Sequence, residues 1–184
     1  MAHQFAAIMF TDGVKAAQEH IGSRTQYERF SAAAGPNDTL SEKEASFIAQ
    51  RDTFYMATVN ADGWPYVQHR GGPVGFLRVM GPDCLAYADF RGNKQMISVG
   101  NTHTNDRVSI ILVDYPNRRR LKILGHLRVE DAGDVAPEEL AGVDLPDYKA
   151  HIERVMFIDV AAFDWNCPQH ITRRYTEAEF LALA

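Results

Sequence analysis

Residues 85–95 read LAYADFRGNKQ, an apolar segment that runs directly into a basic turn containing a glycine. The apolar part is typical of a buried strand, and the residues after it predict a helix over about 94–100. The first turn of a helix has backbone N–H groups without partners and carries the positive end of the helix dipole. Lys94 and Arg91 add full charges there, and Gly92 lets a ligand approach the backbone. The stretch predicts either a phosphate site or a strand, turn and helix with a solvated basic end.

Composition bounds the size of the fold and the kind of ligand. The chain has 184 residues, 46% of them hydrophobic, which suits a single domain over 1–184 with a full core and a few peripheral helices. The formal net charge of -5 argues against a surface for nucleic acid or for anionic membranes. Positive charge is local, at Arg70, Arg91, Lys94 and the run RRRLK at 118–122. This distribution favours a small anionic ligand.

The cysteines and the N-terminal residues indicate the cellular compartment of the protein. Cys84 and Cys167 are far apart and lie in no metal-ligand or CxxC pattern, so neither a disulfide framework nor a zinc site is indicated. The first residues lack the pattern of a secretory signal, and no apolar run has the length of a membrane span. We expect a cytoplasmic protein that contacts neither a membrane nor nucleic acid.

The order of predicted elements favours a mainly β fold. Residues 1–38 suggest a loosely attached helical arm, and the capping box Ser41–Glu44 predicts a helix over about 42–50. Hairpins are predicted over 54–68 and 74–88, and further strands over 107–113, 121–129 and 154–163. A helical turn is expected within 131–150, and a C-terminal segment covers 166–184. Six or seven strands that do not alternate with helices predict a mostly antiparallel barrel with helices outside it.

Three more segments are candidates for binding. At the end of the strand that the Gly-Gly-Pro at 71–73 stops, alternation places Arg70 on the face opposite to His69, and an arginine there can pair with phosphate. Arg120 stands between a basic turn and an apolar strand, and Gln169 and His170 follow the last strand. The alternatives are a strand-ending turn, a solvated basic turn and a capping loop, respectively.

Common catalytic motifs are missing from the sequence. There is no GxSxG elbow, no phosphate-binding P-loop and no GxGxxG, and the histidines show no metal-ligand spacing. No catalytic residue and no metal site is assigned from the sequence, and an anionic ligand must be held by other means.

Taken in order, these segments resemble the FMN-binding split-barrel flavoproteins related to pyridoxamine 5'-phosphate oxidase. The resembling part runs from about 53 to 129, and it includes GWPYV at 63–67, the strand at 85–89, the turn at 92–94, NDRV at 105–108 and RLKILG at 120–125. The resemblance implies an antiparallel split β-barrel of six to seven strands with flanking helices. It also implies a homodimer with FMN at the interface and its phosphate held by the basic turn.

By position, the resemblance assigns thirteen residues to flavin binding. They are His69, Arg70, Gly71, Tyr87, Ala88, Asp89, Gly92, Asn93, Lys94, Gln95, Arg120, Gln169 and His170. Two features depart from the family. Arg70 is followed by Gly-Gly-Pro instead of an apolar run to lysine, and the C-terminus lacks the oxidase's Trp-Arg-Leu-His type segment. We therefore do not expect pyridoxamine 5'-phosphate to be the substrate.

The resemblance implies an FMN-dependent oxidoreductase that acts on an unidentified small-molecule substrate or electron donor. In such an enzyme the flavin carries out the electron transfer, and the protein supplies binding and electrostatics. Arg120, Gln169 and His170 are the candidates to stabilise the reduced, anionic flavin. The alternative is a non-catalytic protein that binds flavin or haem for storage or sensing.

Overall fold

Seven antiparallel strands form one sheet in the computed structural model, which describes residues 3–33, 35–166 and 168–182. Cys167 lies outside the described residues. The strands are β1 Thr53–Val59, β2 Pro65–Gly71, β3 Arg78–Gly81, β4 Cys84–Phe90, β5 Arg107–Asp114, β6 Arg119–Asp131 and β7 Ile152–Trp165. Their order in the sheet is β2-β1-β5-β6-β7-β4-β3. The prediction of a mainly β, antiparallel split barrel is confirmed.

Helices flank the sheet along the described part of the chain. They are α1 Gln4–Met9, α2 Asp12–His20, α3 Arg24–Ala33, α4 Glu42–Ala49, α5 Ile97–Thr102, α6 Pro137–Val143 and α7 Glu177–Leu181. None of these described helices has the length and apolar character that crossing a membrane requires.

Strand alternation builds the core. In β1, Phe54 and Met56 are buried, and in β5 the buried residues include Ile110 and Leu112. β4 differs because every residue from Leu85 to Asp89 is buried. One face of β4 contributes to the main core, and Ala86 and Ala88 on the other face belong to a second cluster that includes Val143 of α6. A strand covered on both faces reads as a continuous apolar run, which is why residues 85–88 lack alternation.

The barrel is split between β2 and β4, which do not pair. α5 lies beside the split and connects to the strands through side chains. Its Asn101 Nδ2 donates to Thr58 Oγ1 at 2.9 Å, and its Ser98 Oγ donates to Gln68 Oε1 at 3.0 Å. Both Ser98 and Thr58 are buried, so these bonds hold the helix against β1 and β2.

The N-terminal arm is attached more firmly than expected. α1 buries Phe5 and Ala6, and α1 packs against β7. The His3 N–H donates to the Ser31 carbonyl at 3.0 Å, and the Gln4 N–H donates to the Pro36 carbonyl at 2.8 Å. The expectation of a loosely attached arm is wrong. α1 packs its apolar side chains against β7, and backbone hydrogen bonds join the first residues of the arm to residues near its other end.

Most predicted elements are present, with two boundaries shifted by backbone geometry. The capping box at Ser41 and Glu44 is formed, and α4 begins where it predicts. β3 begins at Arg78 and not at 74, because Gly75 has a φ of 79° that no strand adopts. α5 begins at Ile97 and not at 94, because Lys94 and Met96 have φ of 59° and 57°. The sequence reading did not anticipate α7.

Candidate ligand-binding site

A cleft of about 260 Å³ opens at the split of the barrel. Its walls come from β2, the end of β4, the loop before α5, the start of α5 and the start of β7. Six of the thirteen predicted residues line it, namely Arg70, Asp89, Gly92, Asn93, Lys94 and Gln95. The structure therefore brings together the two predicted phosphate segments, which are far apart in sequence.

A buried carboxylate organises two arginines on the wall of the cleft. Asp89 is only 7% exposed, and its Oδ1 accepts from Arg70 Nη1 at 2.8 Å. Its Oδ2 accepts from Arg154 Nε at 2.9 Å and from Arg154 Nη2 at 2.8 Å. Charge-assisted and bidentate bonds of this kind have narrow geometry, so Asp89 fixes where both guanidinium groups point. The structure thus shows Asp89 holding two cations.

A second carboxylate extends the cluster. Glu153 Oε1 accepts from Arg91 Nε at 3.0 Å, and Glu153 Oε2 accepts from Arg154 Nη2 at 3.2 Å. The bond from Arg91, with the nearby Arg154 charge, lowers the pKa of Glu153 against the effect of desolvation. Burial disfavours the charged form of Arg154, but the Asp89 and Glu153 carboxylates outweigh it and raise the pKa of Arg154. Both shifts favour the charged forms of Glu153 and Arg154.

Cations outnumber carboxylates on the cleft wall. Arg70, Lys94 and Arg154 face Asp89 and Glu153, which leaves a net charge of +1. Lys94 forms no ion pair with any described residue, and Arg70 Nε is buried without a hydrogen-bond partner among the described residues. Donors without partners beside an excess of positive charge favour an anion in the cleft.

The loop before α5 has an unusual backbone. Lys94 and Met96 both lie in the left-handed region, which costs roughly 1 kcal/mol or more for each non-glycine residue. The Gln95 N–H donates to Asn93 Oδ1 at 3.1 Å, and Met96 provides no side-chain cap for α5. The expectation of a helix start at Lys94 is wrong, because α5 has only six residues and begins at Ile97. The positive charge at the cleft therefore comes from side chains and not from a helix dipole at the basic turn.

A smaller cavity of about 150 Å³ shares Arg70 and Asp89 with the cleft. His69, Gly71, Tyr87 and Ala88 border it, so four more of the predicted residues adjoin the cleft.

Two of these residues also have structural contacts. The Tyr87 ring is 1% exposed and makes edge contacts with Phe54 and Phe76, and burial raises the pKa of its phenol well above the ordinary value. His69 Nε2 lies 2.6 Å from Thr53 Oγ1. Gln68 and Arg70 line the larger cleft and His69 does not, which confirms the predicted alternation in β2.

The remaining three predicted residues lie elsewhere. The cleft lies at the end of the β6–β7 ladder where Asp131 pairs with Arg154. Arg120 is near the other end of β6, and it lines neither the 260 Å³ cleft nor the 150 Å³ cavity. Gln169 and His170 are exposed and follow the end of β7 at Trp165, which pairs with Leu121. Within one chain, these three residues do not reach the cleft.

Sequence reasoning missed the contribution of β7. Arg154 and Glu153 line the cleft, but in the sequence they are only charged residues at the start of a predicted strand. Arg154 becomes a partner of Asp89 because β4 pairs with β7 in a register that places them opposite each other. The local sequence carries no signal for that pairing.

Comparisons with known proteins agree with this fold. The family model described as pyridoxamine 5'-phosphate oxidase matches residues 40–157. A candidate pyridoxamine 5'-phosphate oxidase from Lactobacillus delbrueckii is 22% identical, with a TM-score of 0.53 over 69% of this chain and 94% of that chain. HupZ from Group A Streptococcus is 17% identical, with a TM-score of 0.55 over 74% of this chain and 99% of that chain.

A third solved structure resembles this chain to about the same degree as the two above. An FMN-binding protein from Syntrophomonas wolfei is 13% identical, with a TM-score of 0.54 over 81% of this chain and 97% of that chain. Comparison with curated proteins gave no match. At these identities the solved structures establish the fold, and the family model covers more than half of the chain. The chain belongs to the pyridoxamine 5'-phosphate oxidase family.

Proposed function

We propose that this protein binds FMN, with the phosphate in the 260 Å³ cleft, and acts as an FMN-dependent oxidoreductase. The observation that carries the proposal is the convergence of Arg70, Lys94 and Arg154 on this cleft. The structural likeness to an FMN-binding protein from Syntrophomonas wolfei is consistent with it.

The described residues fit a phosphate monoester. Two guanidinium groups and one ammonium group supply charge, and Arg70 Nε and Lys94 Nζ have no partners among the described residues. The neighbouring 150 Å³ cavity continues from the cleft along the Tyr87–Ala88 backbone, where the rest of the ligand can lie.

Bound FMN would supply the electron transfer, and the chain supplies position and charge. Asp89 keeps Arg70 and Arg154 aimed at the cleft, while Lys94 adds a charge from the loop. This chemistry requires no acid or base from the cleft wall.

We propose a homodimer on the basis of the outward face of β1, β2 and β5. Tyr55 is 40% exposed and Val67 is 62% exposed on this face, and Tyr55 is paired across the strands with His69 and Ile111. Arg120 belongs to the same face, because it pairs with Val113, two residues from Ile111. A second copy packed here would bury the apolar side chains and would bring the partner's Arg120, Gln169 and His170 towards the flavin.

Pyridoxamine 5'-phosphate is not the proposed substrate. The segment after β7 differs from the oxidase pattern, and the Trp165 indole N–H already donates to Glu44 Oε1 at 2.7 Å. This tryptophan serves the attachment of α4, so a different small-molecule substrate or electron donor is proposed.

The absorption spectrum of freshly purified protein, before and after addition of FMN and desalting, tests the cofactor. Retained bands at about 370 and 450 nm support bound FMN, and a colourless protein after desalting contradicts it. A Soret band would indicate the haem-binding alternative, although no histidine lines the 260 Å³ cleft among the described residues. Bound FMN that neither NADH, NADPH nor a deazaflavin donor reduces would indicate the non-catalytic alternative.

A further inference from the structure

A second cavity, of about 500 Å³, lies between the N-terminal arm and the barrel. Its apolar walls include Phe10, Tyr27 and Phe30 from the arm and Trp165 from the end of β7. Ligand pockets commonly have this size and this aromatic lining, with a few polar groups that set orientation. We propose that this cavity, which we call the arm pocket, binds a small aromatic molecule without net charge.

The arm pocket is built almost entirely outside the part that the family shares. The family match covers residues 40–157, whereas the lining takes residues between 3 and 30 from the arm and residues 164–166 from the end of β7 and the position after it. Lys122 is the one described lining residue inside the matched range. The arm pocket is therefore a feature of this chain, distinct from the cleft at the split.

The position of the arm is well defined by contacts on the pocket floor. His3 is buried, and its Nδ1 accepts from the Ala6 N–H at 3.3 Å. The Phe5 ring lies 4.7 Å below Lys122 Nζ, and the rings of Phe10 and Tyr27 meet edge to face at 5.6 Å. These contacts fix the positions of aromatic side chains that line the pocket.

The charge of the lining defines the ligand class. Lys122 Nζ lies 3.3 Å from Asp164 Oδ2, and both side chains are partly exposed. One cation and one carboxylate leave the lining without net charge, in contrast to the positive cleft. A ligand that presents a donor and an acceptor together, as an amide or a zwitterion does, can satisfy Asp164 and Lys122 at once. Because Lys122 and Asp164 already pair with each other, a ligand with a single charge finds no unpaired countercharge in the pocket and loses hydration without compensation.

Four probes that share a phenyl ring test the charge rule. Benzamide and zwitterionic phenylalanine are compared with benzoate and benzylammonium by calorimetric titration of the full chain saturated with FMN. We expect the first two to bind about tenfold more tightly than the last two. Equal affinity for all four probes, or no binding of any, overturns the proposal.

Two exposed apolar residues of the arm form a matched pair of variants. Phe30 lines the pocket and is 44% exposed, while Ile8 is 42% exposed and does not line it. Phe30→Ala is expected to weaken benzamide binding about tenfold, and Ile8→Ala is expected to leave it unchanged. Equal effects of the two variants contradict the assignment. If no probe binds and Phe30→Ala changes the sedimentation of the protein, the surface is a subunit contact and the proposal is wrong.

Variants of Lys122 and Asp164 are expected to change which charged probe binds more tightly, and loss of structure does not produce such a change. Lys122→Met keeps an apolar chain over Phe5 and removes the lysine partner of Asp164, which then has only His3 Nε2 nearby, at 4.0 Å, so preference should shift to benzylammonium. Asp164→Asn leaves Lys122 alone, and preference should shift to benzoate. If neither variant changes the preference between benzylammonium and benzoate, the proposed role of the Lys122–Asp164 pair is refuted. Lys94→Ala serves as the control for the cleft, because it should leave benzamide binding unchanged whether or not FMN is retained.

Discussion

Arg70 on β2 and Asp89 on β4 form an ion pair of 2.8 Å across the split of the barrel, although their strands are not neighbours in the sheet. β2 is an edge strand and β4 lies next to the other edge, so no backbone ladder joins them. Side chains therefore close the barrel at the place where the cleft opens. Stability and ligand binding rely on the same residues.

Asp89→Asn should destabilise the protein, because the variant leaves the mostly buried Arg70 guanidinium without a charged partner and leaves Arg154 paired with Glu153 alone. Breaking a buried ion pair from one side costs about 3 kcal/mol. Urea unfolding of the protein without ligand measures the change. Asp147→Asn, at an exposed aspartate, is the control and should leave the unfolding midpoint in place. Equal midpoints for the two variants would contradict a structural role for Asp89.

Lys94→Ala should weaken FMN retention far more than Lys149→Ala. Both lysines are exposed, but only Lys94 lines the cleft. Loss of a charged hydrogen bond to phosphate should raise the dissociation constant for FMN about ten- to a hundredfold. FMN fluorescence titration of the two purified variants measures it. The phosphate assignment fails if their FMN occupancy is equal.

Glu44 should make stability depend on pH in the acid range. Burial disfavours its ionised form, but hydrogen bonds from the Ser41 side chain, the Trp165 indole and the Ser41 backbone outweigh burial and lower its pKa. A lowered pKa adds stability above about pH 4.3, the ordinary value for glutamate, and that stability is lost as the pH falls through the pKa of the folded state.

Glu44→Gln should remove that contribution and flatten the decline of unfolding free energy with falling pH. Glu42→Gln, in the same first turn of α4 but exposed, is the matched control and should keep the slope of the parent protein. Urea unfolding monitored at pH values from neutral to acid measures both. Identical slopes for the two variants would show that Glu44 is not the group responsible.

Val67→Lys should disrupt the proposed homodimer, because it places a charge at the centre of the exposed apolar face of β1, β2 and β5. Val14→Lys changes an exposed valine on α2 and is the control. Sedimentation velocity over a range of concentrations measures the oligomeric state. A parent protein that sediments as a monomer, or a Val67→Lys protein that remains a dimer, would contradict this interface.

Local patterns predicted the elements well. The hairpin of β1 and β2 follows from alternation around the turn at 60–63, and α4 follows from the capping box of Ser41 and Glu44. That Arg70 and His69 point to opposite faces of β2 also follows, because successive side chains of a strand alternate between its two faces. These features depend on neighbours within a few residues, which is the range that a sequence pattern reports.

The sequence by itself determined a mainly antiparallel β fold, with basic residues at the ends of two of its strands. Only the tertiary structure decided that Arg154 donates to the carboxylate of Asp89, 65 positions away, and that Arg120 does not line the cleft. It also decided that the arm encloses a cavity with Trp165. The physical reason is that periodicity fixes which face a side chain occupies, whereas the identity of the strand or helix on that face depends on long-range pairing and register.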